Sequence, residues 1–462
     1  MQGKTHIVDL TNGPVWRQLM LFFLPILAGS LLQQLYVTVD AVIIGQFAGK
    51  TGLAAIDSVN TLLRLPTNFF VGLSTGATII ISHLFGAKKE AALSSSIHTA
   101  VAFALLGGLI LSGVGLLTAS FWVHQLDVPQ DISGLALAYV RIHFSGFALS
   151  MLYNISAGIL RAIGDSRTPF LILILSSTLN VVLDLLFVGK MGLSVAGAAL
   201  ATVIAQGFSA LLVLHALSRL NAPYRFRLKK LRLERSRVYS FMTIGLPIAL
   251  QSSLYPIANM LIQSRINSTG TDNIAAWALC GKMDFLIWLV TDSLAAAIST
   301  FVAQNEGAGL HQRARHGTRT ALWMTLSFVA LQSTILYLWN QPFASLFIDA
   351  ADADILPLAG RMMRFLSPLY VFYVFGEIYS GAIRGSGETF HPMLITMLTT
   401  CATRILWILV VVPRYDSIYV ILSSFPISWV LTSVAFAVYY HRFSRKRLSA
   451  SPSFVEGSPR MD

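Results

Sequence analysis

Charge is scarce in this chain. Only 12% of its 462 residues are Asp, Glu, Lys or Arg, about half the share of an ordinary soluble domain, while 55% are hydrophobic. A soluble fold this apolar would expose large greasy patches and aggregate, which excludes the soluble classes. The two cysteines, Cys280 and Cys401, both fall in apolar stretches, which excludes a disulfide framework. Catalytic and nucleotide motifs are missing as well. Gly45-Gln46-Phe47-Ala48-Gly49-Lys50-Thr51 is one residue short of a phosphate-binding loop and follows a helix instead of a strand. Gly72-Leu73-Ser74-Thr75-Gly76 has the spacing of a nucleophile elbow, but inside a long apolar run small residues serve close helix packing. The ten histidines are scattered, and His311 and His316 stand in a basic loop as solvated side chains. No enzyme is expected, and no cofactor.

Long apolar runs are what the chain has instead. About 20 apolar residues cross a bilayer, and twelve such segments are expected, near 16–45, 52–82, 94–117, 135–160, 169–189 and 193–218, then 239–266, 273–303, 317–339, 362–383, 392–412 and 416–441. The first run is too long for a cleavable leader and is expected to remain as the first membrane helix. Basic residues concentrate in alternate loops: Lys88-Lys89, Arg161 and Arg167, Arg313-Arg315-Arg319, Arg384, the run between Arg219 and Arg237, and the tail from Arg442. The opposite loops hold Asp127, Asp131, Asp349, Asp352 and Asp354. That asymmetry predicts cytoplasmic termini, and it explains the net charge of +12 as topology and lipid contact rather than nucleic-acid binding.

One motif repeats. Arg161-Ala162-Ile163-Gly164-Asp165-Ser166-Arg167-Thr168-Pro169 returns 223 residues later as Arg384-Gly385-Ser386-Gly387-Glu388-Thr389-Phe390-His391-Pro392. Each copy follows a small-residue stretch, Ser156-Ala157-Gly158 and Tyr379-Ser380-Gly381, and Leu24-Pro25-Ile26 matches Leu246-Pro247-Ile248 at 222. The expected architecture is therefore an all-α membrane protein of twelve helices in two pseudo-symmetric six-helix lobes, a layout typical of transporters. The lobes are expected at 1–218 and 238–445. Between them a basic linker, 219–237, is read either as a regular stretch on the inner membrane surface or as a solvated loop. The tail 446–462 is expected to be disordered.

An ionisable group deep in a membrane helix costs about 2.5–3.5 kcal/mol on insertion scales and is a functional hypothesis by default. Asp40 and Asp184 are two such groups. Tyr36 lies four residues before Asp40 and Asn180 four before Asp184, so each pair shares a helix face. Thr202 can add another oxygen. The repeat supplies a control: the matching positions in the second half are Thr403 for Asn180, Trp407 for Asp184, Phe425 for Thr202 and Ile262 for Asp40. The scaffold is duplicated, but the oxygen-rich set stands in one half only, which points to a cation site rather than to structural glue. Hard carboxylate, amide and hydroxyl oxygens suit Na⁺, and a pair of neighbouring acids suits H⁺; the residues leave both open. In the second half Gln251, Asn259, Gln263, Lys282, Asp284, Asp292 and Arg404 read as structural, and Glu377 is the best placed for a cavity.

These features together resemble the multidrug and toxic compound extrusion (MATE) family over essentially the whole chain, including Gly72–Ala77 leading into His83-Leu84-Phe85-Gly86-Ala87-Lys88-Lys89. The first-half set is similar to the N-lobe cation site of DinF-like and archaeal-type members, and by the same comparison Ala198 adds a backbone carbonyl and Pro25 bends the first helix. The NorM-like branch carries C-lobe acids where this chain has Tyr255 and Tyr373, which speaks against a second cation site. The resemblance implies a V of two lobes, in a prokaryotic inner membrane, exporting amphipathic or cationic organic compounds by alternating access in exchange for Na⁺ or H⁺. Glu377, Gln34 and Asn154 are the candidates for the substrate cavity, and a monomer is expected. A flippase of lipid-linked saccharides from the same superfamily is the alternative; such proteins line the cavity with several Arg, whereas Arg64, Arg141 and Arg404 are few and scattered.

Overall fold

Apolar runs interrupted mainly by small residues favour helix, and in lipid a helix satisfies its own backbone hydrogen bonds. A computed structural model describes residues 7–347, 355–415 and 417–449, and no strand occurs among them. The first half comprises α1 (Val15–Phe47), α2 (Gly49–Gly86), α3 (Glu90–Gln125), α4 (Gln130–Ser145), α5 (Phe147–Ala162), α6 (Arg167–Asp184) and α7 (Ser194–Ser218). The second comprises α8 (Arg235–Asn267), α9 (Thr271–Gly307), α10 (His311–Leu338), the short α11 (Asn340–Ala344), α12 (Ile355–Leu366), α13 (Tyr370–Gly385), α14 (Phe390–Thr396), α15 (Thr403–Leu406), α16 (Ile418–Leu422) and α17 (Ser424–Ser449).

Every expected segment is helical, but twelve uniform spans are not what the described residues show. Ten helices are long and apolar enough to cross a membrane, eleven when α4 and α5, bent by 47° at their junction, count as one. The segment expected at 362–383 misses that mark because a 3-10 turn at Ser367–Leu369, with Pro368 in it, splits it into α12 and α13. Large apolar side chains point away from the protein, with Leu117 87% and Leu211 69% exposed, as expected of surfaces solvated by lipid.

The repeated motif is a helix-to-helix joint with the same hydrogen bonds in both copies. Gly164 has φ +94° and Gly387 has φ +85°. The Gly164 N–H donates to the Arg161 carbonyl (3.0 Å) and the Asp165 N–H to that of Leu160 (2.9 Å); the Gly387 N–H donates to Arg384 (2.8 Å) and the Glu388 N–H to Ile383 (3.3 Å). This pair of bonds closes a helix C-terminus through a left-handed residue, which is why glycine stands there. The acid that follows caps the next helix. Asp165 accepts from the backbone N–H of Arg167 and Thr168 and from the Thr168 hydroxyl, and Glu388 accepts from the His391 N–H. The small stretches before each copy are contact points: a Cβ on Gly158 would lie 2.5 Å from Thr78 Oγ1 of α2, and one on Gly381 would lie 2.7 Å from the Ala295 carbonyl of α9. Gly72 and Gly76 act likewise, since a Cβ would come within 2.4 Å of Ala249 and 2.5 Å of Gly245 on α8. The packing role read from these glycines is the one the structure gives them.

Contacts divide the chain into two units. One holds residues 7–9, Met20–Phe85 and Lys89–Pro256; the other holds Leu10–Leu19, Gly86–Lys88 and the described residues from Ile257 onward. The division falls at Pro256 inside α8 and not in the basic segment, because α8 up to Ala249 is locked to the glycines of α2. The basic segment is neither strand nor long helix. It has one 3-10 turn, Leu228–Lys230, and its last residues already belong to α8. It is pinned to α3: Phe226 stacks on His98 (5.5 Å), the Arg227 N–H donates to His98 Nε2 (3.0 Å), and Glu234 bonds Ser95 and Arg232. Residues 446–449, expected to be disordered, continue α17; the rest of the tail and Asp349, Asp352 and Asp354 lie outside the described residues.

Candidate functional site

The first unit brings the predicted polar set together. Tyr36 and Asp40 come from α1, Asn180 and Asp184 from α6, Ala198 and Thr202 from α7. The Tyr36 hydroxyl lies 3.2 Å from Thr202 Oγ1. In the amide orientation that matches donors with acceptors, Asn180 donates to Asp184 Oδ2 (2.7 Å) and accepts from the Thr202 N–H (3.2 Å). The Asp40 and Asp184 carboxyls stand close enough for each to feel the other's charge. Asn180 is 1% and Asp184 0% exposed. One oxygen of each acid, Asp40 Oδ1 and Asp184 Oδ1, is buried without a donor. Buried acceptors left this way call for an explanation. Ala198 is buried in a small apolar cluster with Val188 and with Ile43 and Ile44, which follow Asp40 on α1.

The backbone changes at this point. Asp184 is the last α-helical residue of α6, and Leu185–Lys190 follows as π-helix, a widening often found at functional sites. The second unit repeats it: a π segment, Trp407–Val411, begins at the residue matching Asp184. There the Trp407 indole donates to the Val420 carbonyl (2.8 Å). The π segment at this register is duplicated and its chemistry is not, and the second half adds a further π segment, Met397–Ala402, before it.

Sequence reasoning missed Tyr139 of α4, which interacts electrostatically with Asp40, Asp184 and Asp57. A tyrosine in an apolar run reads as core, and only tertiary packing carries α4 to this site. Pro25 lies half-buried within α1. The candidate cavity residues are separate from the cluster. Gln34 is exposed. Asn154 is half-buried and donates to the Ser150 carbonyl (2.9 Å). Glu377 stands 4.0 Å from Arg384, and Asp292, which interacts with both, takes a hydrogen bond from Tyr373. Arg404 is wholly buried, donating to Ser428 (3.0 Å) and Asn259 (2.7 Å). His311, read as solvated, pairs with Glu306 at 2.8 Å. Among the described residues no group of three or more His, Cys, Asp or Glu side chains could hold a metal.

The MatE family model matches residues 25–186 and again 247–409. The two starts are 222 residues apart and the two ends 223 apart, the period of the repeat. The chain belongs to the MatE family. MATE proteins are multidrug efflux transporters of the membrane and not enzymes, so this chain is a multi-pass inner-membrane transporter of small molecules. It is 26% identical to the probable multidrug resistance protein YoeA of Bacillus subtilis over 83% of this chain and 84% of that protein. It is 25% identical to the FAD transporter of Shewanella oneidensis over 92% and 94% respectively. Its fold matches a MOP superfamily transporter from Pyrococcus furiosus, whose reverse-polarity binding pocket suggests a different function, with TM-score 0.87 and 19% identity over 97% of this chain and all of that one.

Proposed function

We propose that this MATE transporter exports amphipathic or cationic organic compounds by alternating access, coupled to Na⁺ or H⁺ at the Asp40–Asp184 site. The observation that carries the reading is the pair of carboxyls, Asp184 buried and Asp40 half-buried, each with one oxygen that has no hydrogen-bond partner, beside Asn180, Thr202 and Tyr36 in one half of a duplicated scaffold. The pair can take up a proton between the carboxyls, or its free oxygens, with Thr202 and the Ala198 carbonyl, can surround Na⁺. Asn180 orients Asp184 through the hydrogen bond to its Oδ2. Exchange of one monovalent ion for one monovalent drug cation moves no net charge, so a membrane potential worth about 2.3 kcal/mol per charge per 100 mV contributes nothing. The ion's own concentration gradient, or a second coupling ion, supplies the drive. Both termini are assigned to the cytoplasm, and the chain acts as a monomer. The flippase alternative is not favoured: Arg404, the most buried of the three arginines it would use, is committed to Asn259 and Ser428.

The test is transport by the purified chain in proteoliposomes, with Na⁺ and pH gradients imposed separately and a fluorescent organic cation, FAD and a lipid-linked saccharide as solutes. Gradient-driven movement of the cation, lost in Asp184→Asn, is the expected result. Full gradient-driven transport by that variant would remove the coupling site, and movement of the saccharide alone would make the protein a flippase.

A further inference from the structure

The basic segment between the halves holds eight Lys or Arg residues and one acid, Glu234, over residues 219–237. A run of that charge has every reason to stand off into water, yet it is folded back along the first unit. The Phe226 N–H donates to the Leu217 carbonyl in the last turn of α7 (3.1 Å), and the Arg227 N–H donates to His98. His98 is eight residues into α3, about 12 Å from the start of that helix at 1.5 Å per residue. The turn at Leu228–Lys230 therefore lies level with the outermost helical turns and not beyond them. Its apolar side chains divide into two sets. Phe226 is buried in the core of the first unit, with Tyr224 and Leu231 packed against that core, whereas Leu228 is 75% and Leu233 47% exposed. A single exposed leucine on a loop is ordinary. Here two of them stand among Arg227, Lys229, Lys230 and Arg232, all exposed, on a backbone that the core residues hold in place.

We propose that residues 225–233 are a docking surface for an anionic phospholipid leaflet, with Leu228 and Leu233 entering the acyl boundary and Arg225, Arg227, Lys229 and Lys230 on lipid phosphates. Two neighbouring features identify lipid as the occupant. Leu109, three turns further along the face of α3 that His98 occupies, is 55% exposed, so this segment borders a helix face of the kind that acyl chains cover. Tyr239, one turn into α8, is 73% exposed, the position of an amphipathic ring at the headgroup level. The charge selects anionic headgroups, and the leucines add the apolar contact that charge alone lacks. Arg232 is paired with Glu234 and contributes less. The proposal rests on neither the coupling site nor the exported solute.

Spin labels measure the depth of each residue directly. In a Cys401→Ser background, which leaves the buried Cys280 as the one native thiol, single substitutions Leu228→Cys, Lys229→Cys, Lys230→Cys and Leu233→Cys are labelled. The full chain is placed one copy per nanodisc, so that no second copy can cover the surface. The bilayers are phosphatidylcholine alone or an equal mixture with phosphatidylglycerol. Collisions with oxygen, which concentrates in the acyl region, are compared with collisions with a water-soluble nickel chelate. In the mixture, labels at 228 and 233 are expected to meet oxygen and be shielded severalfold from nickel, with the reverse at 229 and 230. Shielding at 228 should fall in phosphatidylcholine alone, fall in high salt as the charges are screened, and fall when Arg227→Gln and Lys230→Gln are added to the Leu228→Cys chain. Equal nickel access at 228 and 229 in the mixture would make the segment a solvated loop and overturn the proposal. Shielding that is the same with and without phosphatidylglycerol would overturn its anionic character.

Discussion

Where the first half of the chain places Asp184 and Thr202, the second places Trp407 and Phe425. A π-helical segment begins at or next to that register in both, although the helix leading to it is continuous in the first half and interrupted by a further π segment, Met397–Ala402, in the second; one half sets oxygens there and the other rings. In the first, Asp40 and Asp184 stand with the Asn180 amide, which bonds Asp184, and the paired Tyr36 and Thr202 hydroxyls. In the second, Trp407 is spent on a bond to the Val420 carbonyl and Phe425 joins the aromatic wall around Asp284. Duplication supplies two related frames, and a few substitutions at one register give one frame carboxyl, amide and hydroxyl groups and the other aromatic rings. The frame itself tolerates little change, because its joints are made by backbone geometry.

The largest effect that could break this comparison comes from exchanging the two residues at the shared register. Asp184→Asn should lower gradient-driven efflux about tenfold or more, equivalent to about 1.4 kcal/mol of coupling, while Trp407→Phe should leave coupling intact. Vesicle uptake under imposed ion gradients reads both, and equal losses would mean that the halves do not divide the labour. Trp407→Asp should create no second coupling site. It places an acid without partners in a membrane helix and should lower stability by about 2.5–3.5 kcal/mol, visible as a lower melting temperature in detergent.

Glycine contacts come next. At Gly381 the obstacle is the Ala295 backbone carbonyl, which cannot move aside, whereas at Gly158 it is the Thr78 side chain. Gly381→Ala should therefore destabilise by about 1–3 kcal/mol, and Gly158→Ala by less, with recovery in the double variant Gly158→Ala, Thr78→Ala, which removes the obstructing Oγ1. Equal losses at the two sites would contradict this account. The smallest effect is expected at the caps. Asp165→Ala should cost about 1–2 kcal/mol because it removes bonds to two backbone N–H groups and a hydroxyl, and Glu388→Ala about half of that or less, since Glu388 serves one backbone donor.

Tyr36, Asp40, Asn180 and Asp184 were legible because a polar residue is conspicuous in an apolar run and because i, i+4 spacing fixes its face regardless of what surrounds the helix. The all-helical class, the doubled scaffold and its 222–223 period follow from hydrophobic length and local motif, which need no knowledge of neighbours. Tyr139 was invisible for the opposite reason: nothing local distinguishes it from a core aromatic, and only the packing of α4 carries it to the two acids. A second pair of such helix joints was also hidden. The Lys89 N–H reaches the Leu84 carbonyl as the Leu310 N–H reaches that of Asn305, with Lys88 at φ +55° where the second half uses Gly309. A lysine does not announce a left-handed turn in the sequence. The division of the chain at Pro256, the break that splits 362–383 and the aromatic cavity around Asp284 were likewise decided only in three dimensions. Composition and spacing determine which segments are helical and which faces are polar, because those are properties of single helices. Which faces meet depends on close contacts between residues far apart in sequence, and those exist only in the folded protein.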